Sequence, residues 1–520
     1  MNRKIVTTQK GQLSGYVESG VERYLGIPFA KPPVGELRFL PPVENEAWVG
    51  VQDAITLPNS PMQPIKENGK PSRKLTQISE DCLYLNVYTP ENSEGRNLPV
   101  MYWIYGGGYT VGSSAMPLYD GENFVKNNDV ILVTANYRVG IFGFMSHPAL
   151  SKRAEHHTNA GVADAIAGLT WVKNNIEVFG GNPNNVTVFG QSAGSSLINI
   201  LLLSPVAKGL FHAAITQSGS PFNHDEWDID TEQTYDKCRK YMESIGIMTE
   251  DDLYNAPAEQ FLKDQDNYAR AEFCPYVDGY ILPDRLEQCF LKGHFHDVPV
   301  MLGCTTDEAS SLVNGGDAHG SRSKTTKESF GKTVDIKYPI KVHNEFIWEK
   351  YGPYAEYDAG YALYRFRSDN TAANMRYFAS CLKDYNESPV YYYMFQHVPP
   401  THNPSFLGAH HGCEVNYIFQ NFDADKEIIA FGKYDEKIGN DVSAYWANFA
   451  RNHHPNSDNL PHWEEFTPEN NMIMYLDGPC ECREIKNKAI TDTFERFLAE
   501  RTEANNPGLM VKSKKVFNMR

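Results

Sequence analysis

No stretch of this chain approaches the roughly 18 uninterrupted apolar residues that a membrane-spanning helix needs. The opening residues, MNRKIVTTQKGQLSG, also lack the apolar core of a secretory signal. Basic residues are in short supply: 48 Lys and Arg against 65 Asp and Glu give a formal charge of −17. Nucleic acid and anionic membranes both reward a positive surface, so neither is expected as a partner. The acidic residues are dispersed and mark no patch, which leaves solubility as their explanation. Cysteine is sparse and odd in number, nine residues spread from Cys82 to Cys482. That is no disulfide framework, and it fits reduced thiols in a cytoplasmic protein. No repeat, low-complexity tract or Pro/Gly/Ser linker divides the 520 residues, so a single domain over 1–520 is expected.

Hydrophobic residues make up 41% of the sequence, enough for a sizeable core. They gather into short runs: LPVMYWIY at 98–105, DVILVTANY at 129–137, VTVF at 186–189, AAITQS at 213–218, VPVMLG at 298–303 and VYYYMF at 390–395. Near-continuous runs rich in β-branched and aromatic residues read as strands buried on both faces. Between them lie stretches of helical spacing such as GVADAIAGLTWVKNNIEVFG at 161–180. The alternation predicts an α/β protein with a large, mostly parallel central sheet covered by helices on both faces. Such sheets bind ligands beyond the carboxyl ends of their strands. The segments at roughly 221–297 and 304–389 are more polar and irregular, and are expected to hold helical insertions forming a cap or gorge wall.

The strongest chemical signal is VTVFGQSAGSS at 186–196. A strand that passes straight into a helix needs a tight turn, and Gly190 and Gly194 leave room for one around Ser192. This is the GxSxG pattern of a nucleophile elbow, which holds a serine outward in front of a helix N-terminus. A structural turn could use the same residues, so the presence of partners decides. A serine hydroxyl needs a base within hydrogen-bond reach and usually a third group to orient that base. The run PVMYWIY ends in Gly106, Gly107 and Gly108, followed by Tyr109. Three glycines there would expose backbone N–H groups to a carbonyl oxygen, with Tyr105 where related loops carry histidine. The acid and the base are expected after later strands, in the order Ser, acid, His. VPVMLGCTTDEASS offers Asp307 and Glu308, and GAHHGCEVNYIF offers His410 and His411. Spacing alone does not choose within either pair.

Together these residues resemble the type B carboxylesterases, the cholinesterase-like branch of the α/β-hydrolase fold. The likeness runs through YLGIPFAKPPVGELRF at 24–39, SEDCLYLNVYTP at 79–90, YGGGYTVGS, NYRVGIFGF, WVKNNIEVFGGNPNNVTVFGQSAGSS, VDGYILP, LGCTTDEAS, GAHHGCEV and WANFARNHHPN, nearly the whole chain in order. The resemblance implies Ser192 as nucleophile, His411 as base and Glu308, the glutamate of the DE pair, as the acid. It places the oxyanion among the N–H groups of Gly107, Gly108 and Ala193, and it implies no metal or cofactor. In character the chain is similar to bacterial para-nitrobenzyl-type esterases. Many secreted relatives bridge the cysteine of EDCLYLN to an earlier one, but none precedes Cys82 here, in keeping with a cytoplasmic enzyme. Residues 61–80 contain no tryptophan, the residue with which true cholinesterases hold choline by a cation–π contact, so uncharged esters of small to medium size are expected as substrates.

Other features carry less. HFH at 294–296 and the pairs His156/His157 and His453/His454 lack a Cys or acidic cluster that would complete a metal site. Cys304 and Cys413 are expected as small buried hydrophobes beside the site. Arg38 with Glu80, and Arg138 with Asp164, match positions that form buried ion pairs in relatives. Tyr109 is a candidate pocket residue and equally a packing residue. An acyltransferase, an amidase or a hydrolase of carbamates or other special esters would use the same triad. A non-enzymatic binding protein is disfavoured, because Ser192, Glu308, His411 and the glycine loop are all present.

Overall fold

The computed structural model describes residues 2–64, 75–156, 158–222, 230–264, 268, 273–313 and 324–505. The chain forms two compact units, Met1–Thr216 with His224–Pro299 and Trp446–His454, and Gln217–Asn223 with Val300–Tyr445 and Pro455–Arg520.

The first unit is built on a mixed sheet. Its strands are β1 (Asn2–Thr7), β2 (Gln12–Glu18), β3 (Val21–Pro28), β4 (Val51–Asp53), β7 (Tyr84–Pro90), β8 (Leu98–Ile104), β9 (Ile131–Ala135), β10 (Gly181–Gln191) and β11 (Ala213–Gln217); β5 (Ser60–Pro61) and β6 (Ile78–Ser79) pair separately. The lateral order is β1-β2-β3-β7-β9-β8-β10-β11, with β4 beside β2. Every residue of β8 and β9 is buried, as their unbroken apolar sequences require. β8 runs parallel to both β9 and β10, and the register with β10 ends on Ile104 opposite Gly190. The glycine loop after residue 104 and the turn after residue 190 therefore leave the sheet side by side.

Toward the N-terminus the sheet becomes antiparallel, from β1 through β2 and β3 to β7, which also pairs antiparallel with β9. The central run of the sheet is parallel as expected, but these edge strands were not among the runs singled out. β1, for example, is exposed or half-exposed at every position and carries no apolar run. AGSSLINILLL forms the helix Ala193–Leu203, mostly apolar and buried at every position. The segment 161–180 folds as the helix Ala160–Asn175 and a 3₁₀ turn closed by Gly180. Helices Thr231–Ser244 and Glu250–Asn255 start on capping boxes at Asp230 and Thr249.

Two buried ion pairs brace this unit. Arg138 grips Asp164 at 2.8 and 2.7 Å. Arg38 forks onto Glu80 at 2.5 and 2.8 Å and donates to the carbonyls of Leu253 and Ala256, tying the N-terminal loop to the inserted helix. Removing one partner of such a pair strands a charge in the interior, which costs more than the pair contributes when intact.

In the second unit β12 (Val300–Thr305), β13 (Val390–Phe395) and β14 (Met472–Leu476) run parallel, and β15 (Glu481–Glu484) is antiparallel to β14. The described part of 304–389 holds the helices Ser310–Val313, Lys327–Lys337, Lys341–Ala355 and the 27-residue Ala359–Tyr385. Their apolar faces meet Phe494 and Phe497 of the helix Lys488–Asn505 in a cluster with Phe330, Ile347, Tyr351 and Phe366. Burying side chains of this size is worth about 1.5–3 kcal/mol each, enough to order helices whose average composition is polar. Among the described residues no helix is long and apolar enough to cross a membrane.

Candidate active site

Ser192 stands where β10 passes into the helix Ala193–Leu203, with φ 58° and ψ −126°. A side chain other than glycine adopts that backbone only under strain, about 1–3 kcal/mol, when its surroundings leave no alternative. The surroundings here are tight. A Cβ on Gly194 would lie 2.0 Å from the carbonyl oxygen of Ile104, and one on Gly106 would lie 2.9 Å from the Cβ of Ser192. The missing side chains let the helix start and the glycine loop close around the serine. Gly194→Ala is therefore expected to lower the stability of the folded enzyme by at least the 1–3 kcal/mol of an overpacked core, read as a shift of the denaturant midpoint.

The glycine loop is anchored from behind. Tyr105 and Tyr137 stack at 4.5 Å and exchange hydroxyl-to-backbone hydrogen bonds in both directions. Gly107 and Gly108 have φ of 130° and 61°, and the Gly107 carbonyl accepts from the N–H groups of Thr110 and Val111. Among the described residues, no acceptor pairs with the N–H of Gly107, Gly108 or Ala193. Tyr109 also has a positive φ; its ring is buried edge-on to Phe144 and takes a hydrogen bond from Ser196.

The acid and base candidates come together in the second unit. Nδ1 of His411 lies 2.5 Å from Oε2 of Glu308, which fixes the ring proton on Nδ1 and leaves Nε2 as the acceptor. The other carboxylate oxygen accepts from Ser218 Oγ at 2.6 Å, Thr305 N at 2.7 Å and Thr305 Oγ1 at 3.0 Å. Burial alone would raise the pKa of Glu308, but the charge of His411 and these hydrogen bonds outweigh it and hold the group below its ordinary value. Ser218 and Thr305 were not picked out from the sequence; Ser218 directly follows a strand, which was the only signal. His410 points elsewhere. Its Nδ1 lies 3.5 Å from the Gly408 carbonyl, and burial lowers its pKa. Asp307 faces Tyr364 and Arg365.

Glu414 follows the histidines and is fully buried. Gln217 Nε2 donates to its Oε1 at 3.2 Å, and among the described residues Oε2 has no partner. Burial, and then the charge of Glu308, push its pKa up to about 7. Because the folded value lies above the ordinary 4.5, the native state is fully favoured below that pH and loses stability as pH rises toward 7, by about 1.4 kcal/mol per unit of separation. Glu414→Gln should match the wild type at pH 4.5 and become progressively more stable than it up to pH 7.5, as measured by urea midpoints across that range.

All nine cysteines are free thiols, eight of them buried. Burial pushes the thiols of Cys304 and Cys413 well above their ordinary value, as suits packed hydrophobes. Among the described residues no group of three His, Cys, Asp or Glu could hold a metal ion. His296 bonds to the Ser204 carbonyl, His453 to Asn185, and His156 stacks on Tyr280, while His157 lies outside the described residues.

A mostly parallel sheet flanked by helices, with a glycine-framed serine at a strand-to-helix corner, is the architecture of the α/β hydrolases. A solved thermophilic PNB esterase shares it with a TM-score of 0.82 and 32% identity, over 94% of this chain and 99% of that one. Residues 2–493 match the carboxylesterase family, and the chain belongs to that family. The para-nitrobenzyl esterase of Bacillus subtilis (strain 168) is 32% identical over 504 residues, 92% of this chain and 96% of the relative. The fumonisin B1 esterase of Sphingopyxis macrogoltabida is 33% identical over 490 residues, 90% and 85% of the two chains. The protein is thus an enzyme, a carboxylesterase that hydrolyses carboxylic esters.

Proposed function

We propose that Ser192, His411 and Glu308 act as one triad, within a single catalytic domain spanning residues 1–520. The observation that carries this reading is the 2.5 Å contact between Glu308 and His411 Nδ1, which presents Nε2 as a base. Ser192 attacks the ester carbonyl while His411 Nε2 takes its proton. The N–H groups of Gly107, Gly108 and Ala193 receive the oxyanion, each worth roughly 10²- to 10³-fold in rate. His411 then passes the proton to the departing alkoxide, and water, deprotonated by the same imidazole, releases the acid. Glu308 keeps the imidazole in one tautomer and stabilises its charged form. The ring of Tyr109 supports the glycine loop.

The substrates are small-molecule carboxylic esters, uncharged and of small to medium size. The absence of tryptophan from residues 61–80 disfavours choline esters, and the relatives named above act on para-nitrobenzyl and fumonisin B1 esters by their names. The helices within 221–297 and 304–389 form the cap-like wall that shapes the acyl and alcohol pockets. Nine free thiols fit a cytoplasmic enzyme. An organophosphate probe, located by mass spectrometry, tests the assignment alongside a panel of esters varied separately in acyl and alcohol length. The adduct is expected on Ser192; a single adduct at another residue would overturn the triad.

A further inference from the structure

Adjacent to the acid, Asp307 is the centre of a clasp that the chemistry above does not use. Its Oδ2 accepts from the N–H of Ala409 at 3.0 Å and from Thr306 Oγ1 at 2.9 Å. Its Oδ1 accepts from the Tyr364 hydroxyl and from Arg365 Nη1 at 3.2 Å. Its own backbone N–H donates to the carbonyl of Ala409 at 3.1 Å, and residues 307 and 410 form an isolated parallel bridge. A Cβ on Gly408 would meet the Asp307 carboxyl at 2.5 Å. Ser310 adds a further tie from its hydroxyl to the carbonyl of Leu407. The loop carrying the acid and the loop carrying the histidines are thus fastened together one residue away from the pair that does the proton chemistry.

We propose that Asp307 is a positioning residue for proton transfer: its carboxylate, held by Tyr364 and Arg365 of the helix Ala359–Tyr385, sets the backbone of 408–410 so that His411 stays against Glu308. The proposal rests on His411 being the base. All four partners donate to the carboxylate, which is used as an acceptor at every contact. An asparagine has the same shape but turns one oxygen into an NH₂, which in either orientation faces an N–H that cannot accept, that of Ala409 or that of Arg365. Arg365 is committed on its other edge to Asp369 at 3.2 Å, which in turn accepts from Tyr351 at 2.7 Å, so the clasp is braced against the helical cluster.

A loosened imidazole costs rate without costing substrate affinity, and a displacement of the order of 1 Å at a reacting group costs up to about 10²-fold. Glu308, His410 and Glu414 are among the titratable groups that interact with His411. Changing Asp307 leaves these in place but also removes an acidic group that acts on the adjacent His410, so Tyr364→Phe, which keeps the carboxylate, separates positioning from charge. Weakening the contact with the negative Glu308 lowers the affinity of the ring for its proton, so the acidic limb of kcat/KM moves to lower pH.

The test compares Asp307→Asn, Tyr364→Phe and Arg365→Gln with the wild type on a para-nitrophenyl ester, with rates normalised to active sites titrated by an organophosphate. Asp307→Asn should lower kcat roughly 10- to 100-fold at little-changed KM, with the acidic limb displaced in the same direction as in Glu308→Gln but less far. Tyr364→Phe and Arg365→Gln, which keep the carboxylate, should show smaller shifts of the same sign. Unchanged kcat per titrated site with an unmoved limb in Asp307→Asn would overturn the proposal. Should that variant fail to fold, unmoved limbs in both of the others would do so. The titration itself separates this failure from that of the triad, since a wild-type adduct away from Ser192 rejects the triad and leaves nothing for Asp307 to position.

Discussion

Ser192→Ala leaves a folded protein whose ester hydrolysis is lower by roughly 10⁴- to 10⁶-fold. In the proposed mechanism the hydroxyl oxygen forms the acyl bond, and no neighbouring group on the elbow can take its place: residues 193 to 195 are Ala, Gly and a fully buried Ser. Alanine meets the same backbone demand at φ 58° as serine does, so the turn is neither relieved nor further strained, and the thermal midpoint should stay close to that of the wild type. What survives is the stabilisation offered by the N–H groups of Gly107, Gly108 and Ala193 to attack by water. Steady-state rates on a para-nitrophenyl ester, with circular dichroism to verify folding, provide the measurement. Activity within tenfold of the wild type would mean that another nucleophile does the work.

The second large effect separates the adjacent histidines. His411→Ala should lose about as much as the serine variant, because triad members act as a unit and removal of the base alone disables the nucleophile. His410→Ala should lose about tenfold or less. The two side chains part where the bridge at residue 410 passes into a turn: only the ring of His411 reaches Glu308, while His410 stays near the Gly408 carbonyl. The opposite order of losses would show that the base had been assigned to the wrong residue.

Much of the scaffold was visible in the sequence where burial is complete. VYYYMF coincides with Val390–Phe395, and LPVMYWI with Leu98–Ile104. VTVF marks only the buried end of Gly181–Gln191; the strand begins with the polar GNPNN, whose register shifts before Val186 and which no apolar pattern reveals. The serine and its glycines could be read because close approach of backbone to backbone admits only glycine at Gly106 and Gly194, so geometry leaves a direct trace in composition. Asp307 and Glu308 could not be told apart by spacing, because both lie on one short turn and only the third dimension assigns each carboxylate its partners. Ser218 and Thr305 were harder to see for a different reason: Ser218 offers one hydroxyl just after a strand and Thr305 its N–H and hydroxyl at the end of another, and a lone hydroxyl has no pattern around it.

Two acidic groups bear on the same imidazole, and the interior sorts them by opposite means: Glu308, in contact with the ring, is held below its ordinary pKa, while burial pushes that of Glu414 up to about 7. Below neutral pH Glu414 therefore adds little negative charge to that of Glu308. In the proposed mechanism the imidazolium formed during turnover is then balanced chiefly by the carboxylate of Glu308.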